Sequence, residues 1–241
     1  MLRRVGAQAR AELVLTLRRG ESVLLSLGLP VLLLVFFSTV DVVPTGLGER
    51  AVDFLAPGVL ALAVMSTAMV GLGIATAFER QYQVLKRLGA TPLGRPALLA
   101  GKTLAIVVVE VVQVTVLVST ALLLGWRPVG SPVTVTAALA LGTVAFAGLG
   151  LLMAGALRAE VVLAVANGLY VVLLLLGGMV VPLENLPGPL AALAGLLPAA
   201  ALSELLHTAT TARATPAGAW LVLGTWAVVG PAAATRAFRW E

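Results

Sequence analysis

The chain of 241 residues contains no cysteine, a single histidine and few charged side chains. The absence of cysteine excludes disulfides, thiolate metal sites and a cysteine nucleophile. Charged residues make up 11% of the sequence, whereas about 25% is usual in soluble domains. Since 60% of the residues are hydrophobic and the mean hydropathy is +1.05, the composition predicts an integral membrane protein.

The sequence also lacks a recognisable catalytic, metal-binding or nucleotide-binding motif. His207 has only Glu204 close by in the sequence, which is too few ligands for a metal ion. The tripeptide that begins at Gly101 resembles the end of a P-loop, but Pro96 stands where a P-loop has its first glycine and offers no N–H to phosphate. We therefore expect the chain itself to be no enzyme, and we expect Lys102 to extend towards lipid head groups.

The basic residues are better explained by membrane topology than by nucleic acid. The net charge is +5, yet no aromatic side chains are interleaved with the basic ones, so no nucleic-acid partner is expected. Of the 16 Lys and Arg residues, 13 lie in segments that would share one side of a membrane, and only Arg50, Arg127 and Arg213 lie in the others. Cytoplasmic segments carry the excess of positive charge. Both termini are therefore expected in the cytoplasm.

Long apolar runs predict an all-α integral membrane protein that forms one domain, residues 1–241, with six spans. Each run can cross a hydrocarbon core of about 30 Å at roughly 1.5 Å per helical residue. The predicted spans are residues 22–43, 54–77, 97–124, 133–157, 161–181 and 216–235. Residues 1–21 predict an amphipathic helix on the inner membrane surface. The proline-broken segment 183–212 predicts short re-entrant helices in the outer leaflet.

Three polar residues lie inside the predicted spans. Glu110 is the acidic residue nearest the middle of a span, where an ionisable group is costly unless it is protonated, paired or in contact with water. It either forms a hydrogen bond to another helix or lines a cavity as a substrate or proton contact, and Gln113 lies three residues further on. Asn167 favours hydrogen bonding between helices over substrate recognition.

A basic polar segment, residues 78–103, separates the second and third spans. Residues from Glu79 to Leu88 favour a short helix that Gly89 can close. Thr91 and Pro92 favour the start of a second short helix. On the residues alone, this segment is either a compact surface for a soluble partner or a cationic loop that only sets the topology.

The same segment carries a family resemblance. The run E-R-x-x-x-V-L-K-R-L-G-A-T-P-L-x-R from Glu79, followed by A-x-x-A-G-K from Ala97, resembles the cytoplasmic signature of ABC-2 type permeases, the membrane subunits of one class of ATP-driven exporters. The resemblance extends to DFLAPGVLALAVMS from Asp53, to the proline-rich stretch before the last span and to the terminal FRWE. One departure is Gln83, where many relatives have glycine.

The resemblance implies a coupling helix within residues 79–95 that docks on an ATPase. The contacts carried over from the motif are Glu79, Arg80, Lys86, Arg87, Thr91, Pro92 and Arg95. It also implies a second permease subunit, identical or different, and two copies of a separate ABC ATPase that bind ATP and Mg²⁺, while this chain binds no cofactor. The apolar spans favour a hydrophobic or amphipathic cargo, a drug-like compound or lipid. The resemblance implies that this cargo is exported, and the expected location is a bacterial plasma membrane. Two alternatives are a proton-coupled transporter that uses Glu110 and a non-transporting membrane assembly factor.

Overall fold

The computed structural model describes residues 2–18, 20–40, 50–89, 94–179, 183–211 and 213–237. Within these ranges the chain is helical and has no β-strand, which confirms the all-α prediction. A π-helical turn, Met65–Gly71, joins α3 to α4, and a 3-10 turn, Leu183–Asn185, precedes α9. The helices are α1 (Leu2–Arg18), α2 (Gly20–Thr39), α3 (Ala51–Val64), α4 (Leu72–Gln81), α5 (Val84–Gly89), α6 (Arg95–Leu123), α7 (Pro132–Ala156), α8 (Ala159–Leu176), α9 (Gly188–Ala194), α10 (Pro198–Thr210) and α11 (Ala217–Ala237).

Five helical segments are long and apolar enough to cross a membrane. The first is the continuous rod of α3, the π-helical turn and α4, which covers Ala51–Gln81, and the other four are α6, α7, α8 and α11. Helices α9 and α10 meet at a bend of 87°, and they would form a sixth segment if counted as one broken span. A shorter apolar stretch, Leu27–Thr39, lies in α2. The described chain is therefore that of a multi-pass membrane protein.

The segment after the second span differs from its prediction. The prediction of one short helix from Glu79 to Leu88 is wrong, because α4 continues the span to Gln81 and a separate helix, α5, begins at Val84. Helix α1 covers most of the predicted amphipathic segment, and α9 with α10 covers most of the predicted re-entrant segment; the placement of these helices relative to the membrane stays a prediction. Several predicted positions lie outside the described residues: Thr91, Pro92, residues 41–43 of the first predicted span, residues 180–181 of the fifth and the terminal FRWE.

The rod of α3, the π-helical turn and α4 is the most enclosed of the five long segments. Of its most apolar window, 72% is buried, compared with 22% in α8 and in α11. Exposed apolar side chains on α8 and α11, such as Leu175 and Leu221, are suited to face lipid because they have no polar groups to hydrate. The rod therefore forms the centre of the bundle.

Glycines allow α7 to pack closely against both the rod and α11. A Cβ on Gly148 would lie 2.5 Å from the ring of Pro231 in α11. A Cβ on Gly150 would lie 2.5 Å from the carbonyl oxygen of Met69, and one on Gly73 would lie 3.0 Å from the carbonyl oxygen of Gly150. Small residues at such crossings are a common way to join helices in lipid, where apolar burial alone gives little driving force.

Candidate functional site

The two ends of the bundle carry most of the polar groups. We call the end with α5, the start of α6 and the turn from Leu157 to Glu160 the basic end, and the end with Arg50, residues 125–131 and the last turn of α10 the opposite end. Arg80 fixes the basic end, because its guanidinium donates to the carbonyl oxygens of Gly155 (2.6 Å) and Leu157. Arg80 thereby ties the end of α4 to the turn between α7 and α8.

Lys102 lies near the start of α6 and is the largest fully buried side chain of the described residues, with 1% of it exposed. Its ammonium nitrogen lies 2.5 Å from a carboxylate oxygen of Glu79 and 2.7 Å from one of Glu12. The expectation that Lys102 extends to lipid head groups is therefore wrong. A buried lysine needs its charge compensated, and here two carboxylates from other helices do so inside the protein.

These three residues, Glu12, Glu79 and Lys102, form a group that we call the lysine triad. The side-chain amide of Gln8 donates to Glu12 at 2.7 Å, which orients that carboxylate. Gly101 lets α1 approach α6, since a Cβ there would lie 2.7 Å from the side chain of Gln8. The triad thus joins α1, α4 and α6 at one buried point directly behind the basic end.

Helix α5 is attached to the bundle on one side and exposed on the other. Leu85 is fully buried and anchors it, while Lys86 and Arg87 are exposed. Arg95, at the start of α6, is exposed as well. The predicted ATPase contacts that lie within the described residues therefore form an exposed group and two partly buried residues, Glu79 and Arg80, whose bonds are internal.

The break between α4 and α5 falls at Gln83, whose φ of 63° lies in the left-handed region. This conformation costs a residue with a Cβ about 1–2 kcal/mol but is open to glycine. The departure from the family pattern at Gln83 thus places a strained residue at the bend.

We expect Gln83→Gly to raise the free energy of unfolding by up to about 1 kcal/mol, because the strain at φ > 0 disappears. Thermal unfolding of the detergent-solubilised protein would measure the effect. Gln83→Ala is the matched control, since alanine keeps the Cβ and the strain. Equal melting temperatures for the two variants would contradict this explanation of the bend.

Inside the bundle, two polar contacts connect α6 to its neighbours. The hydroxyl of Thr143 in α7 donates to one carboxylate oxygen of Glu110. The hydroxyl of Thr67 in the π-helical turn donates to Gln113 at 3.0 Å. Asn167, by contrast, is exposed on α8 and donates to the carbonyl oxygen of Leu163 in its own helix, so it makes no bond between helices in the described chain. Glu110 and Gln113 thus bind helices together.

The opposite end is tied by backbone contacts between α10 and the loop that joins α6 to α7. The N–H groups of Val129 and Ser131 donate to carbonyl oxygens at the end of α10, each at 3.1 Å. The guanidinium of Arg50 donates to the Gly125 carbonyl oxygen at 2.8 Å. The Nε2 of His207 lies 3.0 Å from the carbonyl oxygen of Phe54, so the imidazole joins α10 to α3.

The Ser203 and His207 pair at this end is not arranged for nucleophilic catalysis. The Ser203 hydroxyl lies 3.3 Å from Nδ1 of His207, but it donates to the carbonyl oxygen of Gly178 at 3.1 Å, and both imidazole nitrogens face backbone carbonyl oxygens rather than an orienting carboxylate. A triad base must instead accept the proton of the nucleophile and be oriented by a third group. Nor do the described residues include a group of three or more His, Cys, Asp or Glu side chains placed to hold a metal ion.

Comparison of the sequence with models of known families identifies the family of this chain. The sequence model of the family described as ABC-2 type transporter matches residues 4–209. The chain is a member of the ABC-2 type transporter family. A search of curated proteins finds no match to it. Members of this family are membrane subunits for transport, and they normally work with ABC ATPase partners.

For this ABC-2 permease, sequence reasoning missed the pairing of the lysine triad. The only hint was that Lys102 lies just inside an apolar span and Glu79 close to the end of another, while Glu12 lies within the predicted amphipathic helix. The motif quoted for the family contains both Glu79 and Lys102, but sequence separation alone does not show that they meet. The structure brings them together and adds Glu12 from α1.

Proposed function

We propose that this ABC-2 permease forms one of the two transmembrane domains of an ATP-driven exporter, with its basic end and both termini in the cytoplasm of a bacterial cell. Two copies of a separate ABC ATPase bind ATP and Mg²⁺, and a second permease subunit, identical or different, completes the pore. The observation that carries this proposal is the exposed basic surface of α5 and Arg95, attached directly above the buried lysine triad.

The exposed residues are the docking surface in this proposal. Lys86, Arg87 and Arg95 contact the ATPase, and their positive charge complements an acidic patch on it. Thr91 and Pro92 of the same motif, which lie outside the described residues, are further contacts in this proposal. Glu79 and Arg80 lie behind this surface and hold it in place through internal bonds. Leu85 fixes α5 to the bundle, so that a push on the helix moves the bundle as well.

The lysine triad is the transmission element of the proposal. Closure of the two ATPase subunits moves α5, and the motion passes to α4 through the short bend at Gln83. Because Lys102 is bonded to both Glu79 and Glu12, α6 and α1 move with α4. Helix α1, lying along the inner membrane surface, then acts as a lever, and α9 with α10 forms the re-entrant segment at the outer side.

The cargo in this proposal is hydrophobic or amphipathic, a drug-like compound or a lipid. Exposed side chains on the candidate spans are overwhelmingly apolar, which favours a path shared with lipid over a hydrated channel. Glu110 is bound to Thr143, so its contact supports a structural role more than a proton site.

The test is reconstitution with the partner ABC ATPase. We expect Arg87→Glu combined with Arg95→Glu to weaken complex formation at least about tenfold, because two attractive contacts become repulsive. The pair Arg87→Lys and Arg95→Lys keeps the charge and serves as the control. Unchanged binding and unchanged cargo-stimulated ATP hydrolysis in the reversed variant would contradict the docking surface. Transport that continued without ATP under a proton gradient would favour the Glu110 alternative instead.

A further inference from the structure

The opposite end contains a partly open cavity of about 770 Å³. It lies between the start of α3, the loop after α6 and the last turns of α10. Its volume is within the range of roughly 300–1,000 Å³ that is usual for small-molecule sites. None of the residues predicted to contact an ATPase lines it.

The walls of this cavity are fixed by contacts between separate segments. The backbone bonds from Val129 and Ser131 to α10 close one side, and the His207 bond to Phe54 closes another. Gly130 fits where a Cβ would collide with the backbone of Ala209, so the loop cannot move closer or carry a larger residue. The cavity is therefore preformed rather than a gap between loose loops.

The charge of the cavity is unexpected for this side of a membrane protein. All three basic residues that the topology assigned to the outer side, Arg50, Arg127 and Arg213, line it, although they come from three different loops. Lys and Arg are disfavoured in short outer loops, so their convergence is not what topology alone produces.

Two carboxylates also line the cavity and leave one positive charge in excess. Asp53 lies in the first turn of α3, where the helix N-terminus offsets part of its charge, and Glu204 is exposed on α10. Within the described parts of the chain, Arg127 and Arg213 make neither an ion pair nor a side-chain hydrogen bond. Two guanidinium groups are thus available to a ligand, and guanidinium binds oxyanions in a bidentate manner.

We propose that this cavity binds the anionic phosphate head group of an amphiphilic molecule at the outer face. Arg127 and Arg213 hold the phosphate oxygens, with Arg50 fixed beside them by its bond to Gly125. Phe54 and Trp126 line the same cavity and give the first part of the apolar chain a surface to pack on. The site receives the head group of a lipid-like molecule after it has crossed the membrane.

This inference rests on the proposed function, because a site on the outer side takes part in transport only if the complex exports its cargo. Binding itself needs neither the ATPase nor ATP. A failure of binding with intact ATP-driven transport would overturn the cavity assignment alone. A failure of ATPase docking with intact binding would overturn the export proposal alone.

The experiment is native mass spectrometry of the purified chain with phosphatidylglycerol or phosphatidylcholine of identical acyl chains. We expect retention of phosphatidylglycerol to exceed that of phosphatidylcholine about tenfold, since the zwitterionic head group gains less from guanidinium. Arg127→Gln with Arg213→Gln should abolish this preference. Arg158→Gln with Arg236→Gln, two exposed arginines of the basic end, is the matched control and should preserve it.

Further arms separate the sources of the phosphate and guard against misfolding. Excess inorganic phosphate should leave phosphatidylglycerol bound, because the free ion has no acyl chain and cannot make the apolar contacts. Displacement of the lipid by phosphate alone would overturn the amphiphile assignment. If the double glutamine variant does not fold, Arg127→Lys with Arg213→Lys replaces it and should lower the preference about threefold, through loss of bidentate geometry. The site assignment would be overturned if the native chain retained the two lipids equally. It would also be overturned if the control variant lost the preference for phosphatidylglycerol as fully as the variant at Arg127 and Arg213.

Discussion

Replacing Lys102 with methionine should destabilise the permease by about 3–5 kcal/mol, the cost of leaving one side of a buried ion pair uncompensated. Methionine keeps most of the length and volume of lysine, so packing changes little. The carboxylates of Glu12 and Glu79, each only 12% exposed, would then face each other without a cation. Thermal unfolding in detergent, followed by helical circular dichroism, would measure the loss.

A rescue variant separates charge from shape. When Lys102→Met is combined with Glu12→Gln and Glu79→Gln, no buried charge remains unpaired, and most of the stability should return. Arg87→Met, at an exposed arginine of α5, should shift the free energy of unfolding by no more than about 0.5 kcal/mol. A Lys102→Met protein as stable as the native one would mean that the triad is not a buried charge cluster.

Substituting Gly150 with valine should be the second most damaging change. The obstacle is backbone, since a Cβ would meet the carbonyl oxygens of Met69 at 2.5 Å and Ala68 at 3.0 Å. Overpacking of this kind typically costs about 1–3 kcal/mol, and valine adds two further methyl groups beyond the Cβ. Helix α7 would have to separate from the central rod, which we expect to lower the yield of folded protein sharply.

Gly168 offers the matched control, because it also lies in a candidate span but a Cβ there would meet nothing within 4 Å. Gly168→Ala should be neutral or stabilising by roughly 0.5–1 kcal/mol, from the better helix propensity of alanine. The comparison is made by size-exclusion profile and melting temperature. Similar behaviour of Gly150→Val and Gly168→Ala would contradict the close contact between α7 and the rod.

The long helices could be predicted from sequence because their cause is local. Apolar runs of sufficient length are helical wherever they cross lipid, since every backbone group must be bonded within its own segment. The boundaries of α6 and α7 accordingly lie close to the predicted ones. The break at Gln83 was not predictable in the same way, because a single left-handed residue leaves no periodic signal.

The pairing of charges could not be predicted because it depends on which faces meet. A lysine near the end of a span can reach the head groups or find a buried carboxylate, and both choices satisfy its charge. The packing of α1 and α4 against α6 determines that Lys102 pairs with buried carboxylates rather than with head groups. Likewise, Arg50, Arg127 and Arg213 looked like separate exceptions to a topology count until the fold placed them around one cavity.

The most direct test of the account is a photo-cross-linking experiment on the complete complex in native membranes. A photoreactive residue replaces Arg87 in one protein and Val133, an exposed residue at the start of α7, in another. The account predicts an adduct with the ABC ATPase from position 87 and none from position 133. No adduct from position 87, or labelling of that position by an impermeant reagent added outside intact cells, would contradict it.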